Sequence, residues 1–422
     1  MTELCEELIR RHRCRVSVVA GVPPLSSDGT THGTRRLVSR EAHRGVEIFR
    51  ARGTRFSKKR FAGRACNYVS YFLSACWAGL RLDKPDVVVA LTDPPIIGLA
   101  AWIAATRFRA PLVMSYRDLF PEVAVLIDDF HSDALNAVLQ AVNRFLVGRA
   151  DRVVALGGTM RERLIESKGA PPDKTVIIPD WADTIAITPG AKRNPFSEAH
   201  GLADKFVVMH SGNIGLSQGL ETLVEAAAIL RGASHLQVVF VGEGVKKDEL
   251  QRRASALSLT NVTFLPFEPM DRLAMSFAAA DVFIVSLRRG LAGCIVPSKL
   301  YGILAAGRPY VAAVEDRCEV ASITRAHQCG LLCEPGNARD LAEKIATFHR
   351  DRALMTRCGI RARTAALEFD RAAQVDKYAA LFRALVDPAR SGSIERRTFL
   401  FAARADPAST RSTSSRCGAK PS

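Results

Sequence analysis

Short apolar runs alternate with amphipathic stretches along most of the chain. In the first half the runs lie at 15–20, 86–91 (DVVVAL), 111–115 (PLVMS), 152–156 (RVVAL) and 175–178, and they read as buried strands. The stretches 64–81, from Ile96 onward, 133–148 and 159–167 carry helical periodicity, while 21–61 reads as a long basic loop. The second half restarts with FVVMH at 206–210, then a glycine-containing turn and a helix from Leu220. Runs at 237–241, 262–265 and 281–285 follow, each trailed by a helical pattern. Strand–helix alternation at this spacing predicts parallel sheets with right-handed crossovers. Two such halves predict an α/β protein of two Rossmann-like, doubly wound domains facing across a cleft, with ligands beyond the carboxyl ends of the strands.

The Pro/Gly/Asn-rich stretch TPGAKRNP at 188–195 marks the expected boundary. The expected division is therefore an N-terminal domain over 1–190 and a C-terminal domain over 191–370. A helix over 371–388 is expected to pack back toward the first domain. Residues 389–422, rich in Ser, Arg, Ala and Thr, are expected to form a disordered tail. One feature breaks the pattern. A doubly wound domain opens with a strand and a Gly-rich turn, yet this chain opens within a helical pattern at 2–11. A missing central strand would leave its neighbours unpaired, so the expectation is a start further upstream.

The length, 422 residues, fits two domains, and 48% hydrophobic with 24% charged residues are globular values. The formal net charge of +16 changes the picture, because such a surface attracts phosphate in nucleic acid, anionic lipid or nucleotide. Nucleic acid is disfavoured: aromatics are 7%, the basic residues are dispersed, and no zinc-finger spacing, RNP-type run or single basic helix is found. The ten cysteines form no C-x-x-C pair and no zinc spacing, so they read as small buried hydrophobes of a reducing cytoplasm, and no metal site is expected. The acidic opening does not resemble an export signal. The longest apolar run, 87–105, is interrupted by Asp93, Pro94 and Pro95 and should not span a bilayer. Its helical part, 96–106, is expected to be a buried helix, with a surface-lying membrane helix as the alternative.

Three segments carry candidate chemistry. In HSGNIGLSQG (210–219), Gly212, Asn213 and Gly215 follow a strand and precede a helix, the geometry in which backbone comes close to an anion. In VGEGV (241–245), Gly242, Glu243 and Gly244 sit at another strand end, before Lys246 and Lys247. The two lysines read as solvated or as opposite an anion. In CIVPSKLYGILAAGRP (294–309), Pro297 and Ser298 open a helix, with Ser298 as expected N-cap and Lys299 in the first turn, a natural phosphate site. In the first half, Asp93 ends a buried strand, where it points into the cleft or caps the next helix. Arg117 and Asp118 occupy the same rim. Arg117 reads as a bidentate phosphate ligand, or as part of an ion network with Asp118 and Glu122.

The order GNIG…QGLETLVEAA, VGEG, PSKLYGILAAGRP and CGLLCEPGN (329–337) resembles the nucleotide-sugar domain of the GT4 family of glycosyltransferases. IIPDWAD (177–183) is similar to the family's inter-domain motif, and RDLFPE (117–122) to its HDLWPE-type acceptor motif. The resemblance runs from about 35 to 387 and is strongest to the WbuB/WcaI-like branch that builds bacterial surface polysaccharides. It implies a GT-B fold, a UDP- or GDP-linked sugar held mainly by the C-terminal domain, and transfer with retention. It also implies no cofactor and no obligatory metal.

Applied to these residues, the resemblance implies that Lys299, Arg117, Asp118 and Asp93 act in catalysis. It implies that Gly212, Asn213, Gly215, Gly242, Glu243, Gly244, Pro297, Ser298, Lys299, Leu300 and Glu319 bind the nucleotide diphosphate. The family's E-x7-E pair falls on Cys294 and Gly302, so both carboxylates are absent, and Glu319 is the expected substitute. The usual diphosphate lysine of the first loop falls near Gln218, and the family histidine on Arg117. With no obvious protein base, a front-face displacement fits, the leaving phosphate oxygen taking the acceptor proton. The expected acceptor is a polyprenyl-diphosphate-linked saccharide at an anionic membrane, with the protein cytoplasmic and peripheral at the inner face of the plasma membrane. The motive is the basic stretch Arg35, Arg36, Arg44, Arg50, Arg52, Arg55, Lys58, Lys59 and Arg60. The rival readings are a nucleotide-sugar 2-epimerase and a non-catalytic nucleotide-sugar-binding subunit.

Overall fold

The computed structural model describes residues 1–22, 36–56, 61–127, 132–386 and 397–403. Its strands in chain order are β1 (Arg15–Gly21), β2 (Val38–His43), β3 (Val46–Ala51), β4 (Val87–Leu91), β5 (Leu112–Ser115), β6 (Arg152–Ala155) and β7 (Thr175–Ile177). They continue with β8 (Phe206–Ser211), β9 (Leu236–Val241), β10 (Val262–Leu265), β11 (Val282–Ser286), β12 (Tyr310–Ala313), β13 (Gly330–Cys333) and β14 (Thr398–Ala403). The chain divides into two compact units. Unit 1 comprises 1–116, 141–153 and 379–422, and unit 2 comprises 117–140 and 154–378. β6 straddles the division.

In unit 1 the strand order is β2-β3-β1-β14-β4-β5. β14 lies between β1 and β4 and runs parallel to both, with Val16 beside Phe399 and Val88 beside Leu400. The slot that looked empty from the sequence is thus filled by six residues from the far end of the chain. The expected disordered tail is corrected here: 398–403 is a central strand. Phe399, Leu400 and Phe401 are buried, and Phe382 of the helix Arg371–Leu385 packs its ring, tilted, 5.0 Å from that of Phe399. Full burial of each such side chain contributes roughly 1.5–3 kcal/mol. Asp86 fixes the strand's entry, accepting from Thr398 N at 2.9 Å and from Arg397 at 3.2 Å.

The expected basic loop contains a second departure. β2 and β3 form an antiparallel hairpin, His43 opposite Val46. Arg44 (φ 46°) and Gly45 (φ 84°) make its two-residue turn, both with the positive φ that such tight hairpins require. Arg44 is ion-paired to Glu6 and Arg50 to Glu41, so these two cations are already answered by protein carboxylates. Arg35 and Lys58–Arg60 lie outside the described residues. The helix Ile97–Phe108 is buried along Ile97, Ala100, Ala101, Ala104 and Ala105, as expected of a core helix.

Unit 2 holds a sheet in the order β10-β9-β8-β11-β12-β13, every pair parallel. The strands run through a core of Val208, Val238, Phe240, Ile284 and Val311, closed by Leu223, Leu341 and Ile345 from flanking helices. This order reverses direction between β8 and β11. In such sheets the crevice beyond the carboxyl ends of the two strands at the reversal is where ligands bind.

Among the described residues no helix is long and apolar enough to cross a membrane. No group of three or more His, Cys, Asp or Glu among them could hold a metal ion. Cys5, Cys14, Cys294, Cys318, Cys329, Cys333 and Cys358 are buried free thiols, whereas Cys66 is exposed.

Candidate functional site

The reversal point of unit 2 is built by three segments. β8 ends at Ser211 and delivers His210 and Gly212. β9 ends at Val241 and delivers Gly242 and Gly244. The stretch after β11 carries Pro297, Ser298 and Lys299. The first two loops are laced together by their backbones: Gly212 N donates to Val241 O and Ile214 N to Glu243 O, both at 2.9 Å. A β-carbon on Gly242 would overlap Gly212 O, and one on Gly244 would overlap Ile214 O. Both glycines have φ above 150°, which other residues rarely adopt. They are required here by the close approach of two backbones.

Lys299 crosses this platform. Its Nζ lies 3.1 Å from His210 Nε2, and a β-carbon on Gly212 would sit 3.6 Å from both Lys299 Cε and Nζ. Burial pulls the lysine from its ordinary 10.5 down to about 7. Burial, and secondly the neighbouring lysine, pushes His210 well below the ordinary histidine value, so the imidazole is neutral and able to accept from the ammonium. At the end of β11, Ser286 Oγ is buried with no hydrogen-bond partner among the described residues. A partly desolvated cation over bare glycine backbone is an arrangement that an anion completes.

Several expectations change in detail. The amides of Gly212 and Gly215 are not open donors, since Gly215 N gives its hydrogen to Gln218 Oε1 at 3.0 Å. Their contribution is therefore shape. Gln218, standing where the family places a lysine, serves the loop itself. Asn213 is exposed, and its carbonyl lies 3.4 Å from His210 Nε2. Ser298 takes the N-cap position of the helix Lys299–Ala305 without a side-chain cap bond. Leu300 is fully buried, so its side chain belongs to the core. Glu243 pairs with Lys247 at 2.7 Å, while Lys246 pairs with Glu221 at 2.9 Å and Glu249 at 2.8 Å, so neither lysine is simply solvated.

A second cluster in unit 2 gathers motifs far apart in sequence. Asp118 forms an isolated antiparallel bridge with Ile295, and Leu119 N donates to Cys294 O at 2.9 Å. This pairing sets the Arg117–Asp118 segment alongside the stretch leading to Lys299. Arg117 is ion-paired with Asp180 of the IIPDWAD motif. Burial alone would lower the arginine's pKa; Asp180, with Tyr378 and Asp118, more than offsets this and holds it above the usual value. Glu122, expected in a network with Arg117, instead binds the buried Lys168 at 2.7 Å. Tyr301 faces the same charges: burial first, then Asp180 and Glu319, raise its phenol. Tyr301 Oη is buried and has no hydrogen-bond partner among the described residues.

Glu319, the expected replacement for the absent carboxylate, accepts from Thr159 Oγ1 at 3.2 Å and Thr159 N at 3.4 Å, and its side chain fills the space a β-carbon on Gly157 would take. A β-carbon on Gly302 would come 3.0 Å from the Phe277 ring, so that helix position faces packing. Asp93 lies in unit 1 at the carboxyl end of β4, half-buried. The following helix has Ile96 at its N-cap position, with no side-chain cap bond from that residue. Sequence reading missed His210, Asp180, Tyr301 and Ser286 as site residues. Asp180, His210 and Tyr301 each lie inside a quoted motif, whereas Ser286 had no signal.

Two family models match the chain. "Glycosyl transferase 4-like domain" covers residues 1–181, and "Glycosyl transferases group 1" covers 192–365. The chain is 27% identical over 294 residues to glycosyltransferase WbjE of Pseudomonas aeruginosa, covering 69% of this chain and 73% of that one. It is 32% identical over 203 residues to WcaI of Escherichia coli K12, described as a colanic acid biosynthesis glycosyl transferase, covering 47% of each. Among solved structures, sucrose-phosphate synthase of Thermosynechococcus elongatus superposes with a TM-score of 0.70 at 19% identity, over 91% of this chain and 92% of that one. HepE of Anabaena, solved with UDP, superposes with a TM-score of 0.61 at 20% identity, over 81% and 86%.

Proposed function

The chain is a glycosyltransferase of glycoconjugate biosynthesis, a member of the group 1, GT4-like family with the GT-B fold, and from that premise we propose its reaction. It moves a sugar from a UDP- or GDP-linked donor to a lipid-linked saccharide, with retention and without a metal, at the inner face of the plasma membrane.

The observation that carries this reading is Lys299 held over Gly212 by His210, at the reversal point of the unit 2 sheet. A diphosphate placed there meets a cation whose desolvation makes each charge contact stronger than in water. HepE, solved with UDP and with UDP-glucose, supports a nucleotide sugar as the ligand class. In the reaction, the anomeric C–O bond to the diphosphate breaks and a bond to the acceptor oxygen forms on the same face. The leaving phosphate oxygen takes the acceptor proton. Lys299 stabilises the charge left on the diphosphate, with Arg117 a second cation for phosphate.

Calorimetric titration with UDP and GDP, beside Lys299→Ala, tests the donor site. Binding of one diphosphate that weakens at least about tenfold in the variant, the effect of losing a charge-assisted contact, is the expected result. No binding of either would overturn it. Turnover with a lipid-linked acceptor, its product's anomeric configuration read by NMR and its rate unchanged by chelator, tests the rest. A chain that binds the nucleotide but never turns over would be the binding subunit. The absent carboxylates at Cys294 and Gly302, with Glu319 engaged by Thr159, favour that second reading.

A further inference from the structure

The helix Phe61–Leu80 in unit 1 has two apolar faces. Tyr71, Ala75 and Ala78 are buried, and Gly79 meets Ala104 of the neighbouring helix. On the opposite side, Val69 (52% exposed), Leu73 (61%) and Trp77 (48%) follow each other at i, i+4 spacing, with Leu80 (40%) beside them. Phe56, 57% exposed, is tied to the helix through Asn67, whose side chain bonds both Phe56 N and Phe56 O. The sequence of this helix contains no Asp or Glu. At its end the Arg81 guanidinium stacks on the Trp77 ring, 3.7 Å from the centroid. Arg55, next to Phe56, is exposed. Asp83 is matched by Arg15 at 4.0 Å.

We propose that this face docks onto an anionic lipid surface, the helix lying flat with Val69, Leu73, Trp77 and Leu80 in the headgroup–acyl boundary and Arg55 and Arg81 at lipid phosphates. This deepens, and rests on, the reading of a lipid-borne acceptor. It moves the membrane contact from the basic stretch and the helix Ile97–Phe108 to the helix Phe61–Leu80. Contiguous exposed apolar side chains of this kind mark an interaction site.

The chain's own remaining segments are poorly suited to cover the face. Residues 23–35, 57–60, 128–131, 387–396 and 404–422 contain a single aromatic residue, Phe130 in a four-residue segment, and Leu25 and Ile394 are their only large aliphatics. A second copy packed face to face would set Arg55 and Arg81 against their own kind, with no carboxylate on the helix to answer them. An anionic bilayer answers both features. Trp and Arg favour its interface, and basic residues gain about 1 kcal/mol each near its surface.

The test is flotation of the full chain with phosphatidylglycerol and with phosphatidylcholine vesicles, comparing wild type, Leu73→Glu/Trp77→Glu and Arg81→Gln. The expected result is binding to phosphatidylglycerol that drops at least about tenfold in the double variant, as loss of two buried side chains implies. Arg81→Gln loses part of the salt-sensitive binding. UDP affinity and melting temperature stay at wild-type values in both, which separates this inference from the donor reading. Undiminished flotation of the folded double variant overturns the proposal. So does a wild-type dimer in sedimentation equilibrium that the double variant turns to monomer, which would assign the face to a second copy.

Discussion

Lys299 Nζ lies 3.1 Å from His210 Nε2, so the cation poised over Gly212 is held by a neutral imidazole. An aspartate or glutamate in the histidine's place would neutralise the lysine. A histidine kept uncharged positions the ammonium and leaves its charge for an incoming anion.

A pH dependence follows. With the site empty, Lys299 loses its proton near pH 7. A bound diphosphate favours the charged lysine, so nucleotide binding takes up a proton above that pH. UDP or GDP affinity should therefore fall as pH rises from 7, by up to about tenfold per unit. In Lys299→Met the affinity should be weaker and flat over the same range. Calorimetry in buffers of different ionisation enthalpy measures both the affinity and the proton count. A wild-type affinity independent of pH between 7 and 9 would contradict the assignment.

The same group predicts a stability effect of opposite trend. The unfolded lysine keeps its proton up to its ordinary 10.5, and the folded one gives it up near 7. Between these values the unfolded state binds more protons, so stability rises with pH across that window. Lys299→Met removes the cost of burying the charge. Its melting temperature should exceed that of wild type at pH 6–7, with the gap closing toward pH 10.

How much of this was legible beforehand depended on the length and context of each signal. The strands of unit 2 were readable because DVFIV and QVVFV are buried on both faces and read as continuous apolar runs. TFLFAA at 398–403 has the same character, but it is one short run among Ser, Arg and Glu, and composition outweighed it. The hairpin at Val38–Ala51 was missed because its strands are half polar and Arg-Gly is a weak turn signal beside Asn-Gly. Lys299 and the glycines were visible as motifs. His210 and Tyr301 lay in the same motifs, but their roles were not visible, because buried polar roles are set by partners distant in sequence.

β14 gives the strongest test of the fold. Truncation before Arg397 removes the strand between β1 and β4 and leaves both without a partner on that side. Unit 1 should then lose its cooperative unfolding transition. The point change Phe401→Ala should cost about 3–5 kcal/mol by denaturant titration. A truncated protein that melts like the full chain would show that β14 is dispensable.

Gly242 tests the platform beneath the lysine. An added methyl group would overlap Gly212 O, and φ is 151°. Gly242→Ala should therefore force the two loops apart, weakening nucleotide binding more than it lowers the melting temperature. Gly232→Ala, where nothing lies within 4 Å of the new carbon, is the control and should leave both at wild-type values.

Arg117 and Asp180 separate catalysis from structure. Removing the arginine leaves Asp180, only 5% exposed, without its counter-charge, and breaking a buried pair in this way costs about 3–5 kcal/mol. Arg117→Met alone should thus be both unstable and inactive, which decides nothing about its role. Arg117→Met/Asp180→Leu removes both charges and should recover much of the stability, because an apolar replacement of an ion pair is often neutral. If the arginine meets phosphate in the reaction, the double variant stays folded, binds the nucleotide more weakly and turns over at least about a hundredfold more slowly, as loss of one charge-stabilising donor does. If the pair is only structural, the double variant regains activity along with stability, and Lys299 is left as the sole assigned cation of the reaction.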